Sequence, residues 1–312
     1  MRRKNSNVHG IQIQRYGSFS RMGTADKLYQ IVVVAIVVLV ALFCLFPMIY
    51  VVLLSVTSEQ EWIQRGNSML VPFKPTIAGY IKVFKQSKIY TNALFISAMR
   101  TLIGTALSLV FTMYVGYVLS RREMPGVKVL FFMIMITVLF SGGTIPTYLT
   151  VKNLGLTNTF WAMIVPGLVN SWDVLVFRQF FLNLPREVEE SASIDGCGEI
   201  RMMTSIVAPM SLPVVAAIAL FLAVGHWNSW FDALIYIQDE MLRPLQLLIH
   251  NMSTTADLGD TQMVDALSQN ATVSARSLRM CLTVMGTVPI LVVYPFLQKY
   301  FVKGMYVGAV KG

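Results

Sequence analysis

Residues 185–213 read P-R-E-V-E-E-S-A-S-I-D-G-C-G-E-I-R-M-M-T-S-I-V-A-P-M-S-L-P, a polar island between two strongly apolar stretches. Irregular, charged backbone of this kind is tolerated in water or against protein, not in hydrocarbon. Its local chemistry predicts a shape. Pro185 suits the first turn of a helix, where a missing N–H costs nothing. Glu187, Glu189 and Glu190 crowd the same turn, where carboxylates meet the positive end of the helix dipole. Ser191, Ala192 and Ser193 carry the helix on to Ile194, and Asp195-Gly196 breaks it, because Gly tolerates the backbone angles of a sharp turn. A second short helix is expected from Gly198 to Ile206, running through Pro209 into the next apolar stretch. The prediction is a helix–turn–helix elbow over 185–209. Its small residues would let a partner approach closely, and Met202, Met203 and Ile206 would offer apolar contact.

Outward from the island the chain is apolar. Of 312 residues, 55% are hydrophobic and 13% charged, and mean hydropathy is +0.61. A soluble domain carries about a quarter charged residues. The apolar residues fall in blocks of about 20, the length a helix needs to cross a bilayer. Six spans are expected, at 29–56, 92–119, 127–145, 157–182, 206–237 and 277–302, which makes an all-α polytopic membrane protein. The domain reading is a basic tail at 1–27, a six-helix membrane domain at 28–302 and a short tail at 303–312.

Lys and Arg near the spans set orientation. Arg2, Arg3, Lys4, Arg15, Arg21 and Lys27 stand against Asp26 alone in the N-terminal tail, which is therefore expected inside. Arg121, Arg122 and Lys128 then fall inside, as do Lys303 and Lys311, so both termini are expected to be cytoplasmic. Segment 238–276 falls outside with Asp239, Glu240, Asp257, Asp260 and Asp265 against Arg243 and Arg276. Segment 57–91 disagrees, since it should lie outside yet carries Arg65, Lys74, Lys82, Lys85 and Lys88. The net charge of +9 is thus a topology signal with attraction to lipid headgroups, and calls for no nucleic acid.

Between the first two spans, Ile77, Tyr80, Ile81 and Phe84 recur at helical spacing and predict a short interfacial helix. Helix breakers fall at Pro47, at Ser141-Gly142-Gly143-Thr144-Ile145-Pro146, at Pro166-Gly167, and at Pro289 and Pro295. Cys44, Cys197 and Cys281 have no paired spacing, so neither a disulfide framework nor a metal site is expected. No phosphate-binding G-x-x-x-x-G-K-[ST] occurs, and no cluster suggests catalysis or a bound cofactor. Any energy must come from a separate ATPase or from an ion gradient.

Glu190-Ser191-Ala192, Asp195-Gly196-Cys197, Met203, Ile206 and Ala208-Pro209 resemble the E-A-A-x-x-D-G-A signature of ABC importer permeases. The chain departs from that pattern at Ser191, Cys197 and Met203, all still small or apolar. The likeness extends to carbohydrate-type permeases related to the smaller maltose-permease subunit. Within these it is nearest the branch for complex polysaccharide fragments and uronate-containing oligosaccharides. S-G-G-T-I-P-T-Y-L at 141–149, N-L-G-L-T-N-T at 153–159, V-G-H-W-N-S-W-F-D-A-L-I-Y at 224–236 and Y-P-F-L-Q-K-Y-F-V-K-G at 294–304 carry it. The resemblance implies a type I importer fold in a bacterial cytoplasmic membrane. It further implies a second homologous permease, two ATPase subunits that bind ATP and Mg, and an extracytoplasmic solute-binding protein.

In that setting the elbow is the coupling helix, with Glu190, Ser191, Ala192, Asp195, Gly196, Cys197, Glu199, Met203 and Ile206 as the ATPase-docking residues. Movement of the elbow would switch the membrane helices between inward- and outward-facing states. Polar residues inside spans are expensive and mark the candidate substrate path. These are Trp227, Asn228, Trp230 and Asp232 with His226 in the fifth span, Asn170 and Asp173 in the fourth, and Ser141, Gly142 and Thr144 at an outer gate. Aromatic faces with hydrogen-bonding side chains suit sugars, although Trp near an interface is also an ordinary membrane anchor. Arg178 reads as snorkelling to the cytoplasmic edge. Arg100 either meets an acidic sugar or pairs with a carboxylate. Segment 238–276 is either a contact for the binding protein or a plain connector. A gradient-driven secondary transporter is the alternative, for which Asp173 is the one midplane acid on offer.

Overall fold

The computed structural model describes residues 23–65, 71–86, 88–257 and 275–309, and it divides into two units at Val51–Val52. In the first unit, α1 (Thr24–Ser55) begins, and its apolar side chains from Leu28 to Phe46 are largely exposed, as suits a span whose solvent is lipid. The rest of the described chain is helical and without strands. It comprises α2 (Glu59–Arg65), α3 (Ala78–Ile81, extended by a π turn at Lys82–Gln86), α4 (Lys88–Ser120), α5 (Val127–Leu139) and α6 (Thr144–Asn153). Two 3-10 turns at Phe160–Met163 and Val165–Gly167 precede α7 (Ser171–Leu182). The elbow follows as α8 (Arg186–Ile194), α9 (Glu199–Met202), a π turn at Met203–Val207 and α10 (Ala208–Met210). Then come α11 (Leu212–Asn228), α12 (Phe231–Tyr236), α13 (Leu245–Asp257) and α14 (Ala275–Ala309).

The expected spans appear in three forms. α1, α4 and residues Arg276–Pro295 of α14 are unbroken helices long and apolar enough to cross a membrane. The fourth and fifth expected spans are broken pairs, Phe160–Gly167 with Ser171–Leu182 bent by 49° and Glu199–Met210 with Leu212–Asn228 bent by 88°. The third is the shorter apolar helix α5, which ends at an extended Phe140 before α6. The fifth expected span also ends early, since α11 stops at Asn228 and α12 is a separate helix. The expected breakers at 141–146 and at Pro166-Gly167 lie at breaks, and the other expected prolines do not. Pro47, Pro289 and Pro295 lie inside continuous helices. One missing hydrogen bond is cheaper in an apolar setting than several turns of unpaired backbone.

Packing in the second unit is organised around α4, which lies against both α7 and α11. Hydrocarbon gives no hydrophobic reward for helix association, so close approach decides. Gly104 faces the His226 ring on α11, where an added Cβ would fall 2.8 Å from the ring. Gly116 faces α7, where an added Cβ would fall 2.7 Å from the Phe177 Cβ. At the elbow end, Met113, Tyr117, Phe177, Phe181, Met202, Met203, Val207 and Ile218 form one buried cluster drawn from α4, α7, the elbow and α11.

The described part of segment 238–276 is a folded element and not a plain connector. Leu245 and Leu247 of α13 are buried, and the Leu245 N–H donates to Ser97 Oγ on α4 at 2.8 Å. Residues 258–274, like the N-terminal tail through residue 22, lie outside the described residues. The helical backbone of α14 runs on to Ala309, through most of the stretch read as a tail. The short helix expected around Ile77–Phe84 is present at α3, and its Tyr80 hydroxyl pairs with Ser55 Oγ at 2.7 Å.

Candidate functional site

The elbow is built by local hydrogen bonding. Gly196 adopts φ +79°, a left-handed conformation that costs other residues about 1–2 kcal/mol. This lets the Gly196 N–H reach the Ser193 carbonyl at 3.0 Å and the Cys197 N–H reach the Ala192 carbonyl at 2.9 Å. The pair of bonds is a Schellman motif closing α8. An equivalent motif closes α6, with Gly155 at φ +69° donating to Lys152 and Leu156 donating to Val151. Gly198 then opens α9, and the 88° bend at Ser211 turns the chain into α11.

Which face of the elbow is free follows from burial. Glu190, Ser191, Asp195 and Gly196 are exposed, and Ala192, Cys197 and Ile206 are partly buried against the cluster at the end of α4. Met203 corrects the expected docking set. It is fully buried together with Met202, so both fill this chain's own interior and offer nothing to a partner. The large apolar side chains that the elbow leaves most exposed are Ile194 and Ile200, at 86% and 73%. Helical spacing held that signal. Met202, Met203, Ile206 and Val207 share one face, which leaves Ile200 on the other.

Glu189 turns inward from this surface, whereas the Glu199 side chain stays 78% exposed. Arg121, just past the end of α4, pairs with Glu189 on α8 and lies 3.7 Å from Glu199 on α9. Tyr117, one turn earlier, accepts a hydrogen bond from Arg121 and donates to Glu199 Oε2 at 3.1 Å. The Arg121 guanidinium also sits 4.6 Å from the centre of the Tyr117 ring. Arg178 does not simply snorkel. Its Nε donates to the Leu119 carbonyl at 3.1 Å, satisfying an end group of α4, and its guanidinium covers the Phe131 ring.

The second site is an open cavity of about 440 Å³ between α4, the broken fourth span, α11 and α12, lined by Arg100, Asn170, Asp173, His226, Ser229 and Asp232 among others. Arg100 is 2% exposed and chooses the carboxylate. It pairs with Asp232 and donates to the carbonyls of Ser229 and Met163, each at 3.1 Å. Asp232 Oδ1 in turn accepts from Ser229 Oγ at 2.9 Å and from the Ala233 N–H at 2.8 Å. Asn170 caps α7, its Oδ1 accepting from the N–H groups of Trp172 and Asp173. Asp173 is partly buried and forms no ion pair among the described residues.

Of the expected path, the cavity therefore gathers Asn170, Asp173 and Asp232 with His226. The rest stand elsewhere. Trp227 is buried, its indole N–H donating to the Gly286 carbonyl of α14 at 2.7 Å, and so serves as a helix–helix tie. Asn228 is exposed at the end of α11. Trp230 stacks on His250 of α13 with ring centres 3.7 Å apart. Ser141, Gly142 and Thr144 lie exposed at the α5–α6 break, away from the cavity lining.

Residues 124–306 match the family described as binding-protein-dependent transport system inner membrane component. Among curated relatives, Protein LplC of Bacillus subtilis (strain 168) is 42% identical over 86% of this chain and 90% of its own length. The polygalacturonan/rhamnogalacturonan transport system permease protein YtcP of the same strain is 36% identical over 92% of this chain and 99% of its own length. Among solved structures, a bacterial ABC transporter involved in the import of the acidic polysaccharide alginate contains a chain 27% identical to this one. That match has a TM-score of 0.80 and covers 90% of this chain and 99% of that one. With the type I importer membrane fold and a family match over more than half its length, this chain belongs to the inner membrane components of binding-protein-dependent transport systems.

Proposed function

We propose that the chain is one of two membrane subunits of an ATP-driven importer carrying oligosaccharides, fragments of acidic polysaccharides among them, into a bacterial cell. The elbow carries this reading. It holds an exposed apolar pair, Ile194 and Ile200, around a glycine turn, on a segment braced from behind by Arg121. A surface so braced is suited to take a push from a partner. That partner is an ATPase binding ATP and Mg, one copy for this subunit and one for a homologous permease, with a solute-binding protein on the opposite face. Both termini then lie in the cytoplasm. The names of relatives that handle polygalacturonan and alginate support an acidic cargo.

Within the cavity, the Arg100 charge is already neutralised by Asp232, and Asp173 adds a further acceptor. Such a lining suits sugar hydroxyls, which donate to carboxylates, better than it suits sugar carboxylates. A gradient-driven transporter is not favoured, since the family works with a binding protein.

A photocrosslinker placed at Ile194 or Ser193 in the native membrane tests the docking. Transfer to an ATP-hydrolysing subunit is expected. Labelling of lipid alone would remove the basis for the reading.

A further inference from the structure

We propose that Arg121 is the positioning residue through which movement of the elbow reaches α4 and, along it, the cavity. This rests on the docking reading above and adds a route to it. Arg121 is the one described side chain with carboxylate partners on both arms of the elbow, Glu189 on α8 and Glu199 on α9. Its side chain is one-third exposed and that of Glu189 is 16% exposed, so the pair is partly shielded from water. Charge-assisted pairs with such shielding hold direction as well as distance. Tyr117 completes the grip from α4 itself, bonding to Arg121 and Glu199 while its ring packs edge-on against Phe181.

A grip at one end moves the other only if the element between is stiff. α4 is an uninterrupted 33-residue helix with no proline. Arg100 lies 21 residues before Arg121, which is roughly 31 Å along a helix. There it anchors the cavity wall through Asp232 and the carbonyls of Met163 and Ser229. One rod thus holds the docking elbow with an arginine just past its C-terminal end and the cavity with an arginine part-way along its length. Coupling needs such an element, contacted at both sites. Glu190, which faces outward, remains available to the partner, whereas Glu189 is committed inward.

The test uses the assembled transporter, permeases with ATPase and binding protein, in membrane vesicles. A single reporter cysteine is placed at Gly225, which lines the cavity and has open space where a Cβ would stand, after replacing Cys44, Cys197 and Cys281. The maleimide labelling rate of that cysteine is measured with and without ATP, Mg and vanadate. In the Arg121-containing protein the rate is expected to change with nucleotide. In R121Q it is expected to stop responding while the ATPase stays bound and still hydrolyses ATP. R121K, which can reach one carboxylate but not hold the fork, is expected to respond partially. E189Q is expected to weaken the response, and to weaken it no further in R121Q, as two members of one linkage do. An undiminished response in R121Q overturns the proposal, and so does an undiminished response in E189Q should R121Q fail to accumulate. A protein with Arg121 intact that retains no ATPase overturns the docking reading instead.

Discussion

Arg100 and Asp232 stand 132 residues apart in the chain and meet as an ion pair at the wall of the cavity, with Arg100 almost wholly buried. The pair joins α4 to the start of α12, and the Met163 carbonyl brings in the broken fourth span. A buried charge is tolerable only while its partner is present. Replacing Asp232 by Ala is therefore expected to cost about 3–5 kcal/mol, and R100M with D232L together markedly less. Thermal unfolding in detergent, followed by intrinsic tryptophan fluorescence, checks both, and equal losses in the single and double variants would contradict the account.

Gly116 and Phe177 make a second prediction. A methyl group at position 116 would meet the Phe177 Cβ at 2.7 Å and the Val174 carbonyl at 3.1 Å, neither at the end of a flexible side chain. G116A is expected to lose about 1–3 kcal/mol by overpacking α4 against α7. G225A, with open space around it, is expected to be neutral or slightly stabilising by helix propensity. Unfolding midpoints of the two variants in one detergent distinguish crowding from a general intolerance of side chains.

At Gly196 the constraint is conformational and not spatial, since nothing lies within 4 Å of an added Cβ. G196A is expected to strain the elbow by about 1–2 kcal/mol while global unfolding stays close to that of the parent. A bulkier residue such as Leu should leave the protein folded and abolish transport by obstructing docking. Normal transport by G196L in vesicles would contradict the assignment of this face.

Outside the membrane, Glu61 on α2 accepts hydrogen bonds from the N–H groups of Phe73 at 2.6 Å and Lys74 at 3.2 Å, and pairs with Arg65. The Phe73 bond foremost holds its carboxyl below the ordinary glutamate value, with Lys74 and Arg65 adding to it. A lowered folded-state pKa stabilises the loop above the unfolded value, near pH 4.5, and that stabilisation is lost as pH falls through the folded value. Proteolysis of segment 57–76 is thus expected to accelerate only on acidification, with E61Q cleaved rapidly at every pH. A pH-independent rate in the parent protein would refute it.

Several features were legible from residues near one another in the chain. The elbow with its glycine turn, the short helix at α3 and the apolar blocks rest on hydrogen bonds and periodicity spanning fewer than ten residues or one continuous helix. The glycine-containing breakers at 141–146 and 166–167 marked breaks, whereas Pro47, Pro289 and Pro295 lie inside continuous helices. The breaks fall near Gly143, Asn170 and Ser211, where a side-chain cap, a 3-10 turn or a bend can reorganise the backbone. Met203 and Trp227 were misplaced for a shared reason. An apolar or aromatic residue in a helix announces that it has a buried face, not whether the burying partner is its own chain or another.

By itself the sequence determined an all-helical membrane protein, the position and turn of its elbow, and its permease ancestry. Those depend on hydrophobic length, backbone conformation and contiguous motifs. Only the tertiary structure decided which carboxylate neutralises Arg100, that Arg121 grips both arms of the elbow, and that Asn170, Asp173 and Asp232 share one cavity while both tryptophans are occupied elsewhere. The physical reason is range. A charge in low dielectric must find a partner, but nothing local selects among the acids along the chain, and the choice is made by the helices that happen to pack beside it.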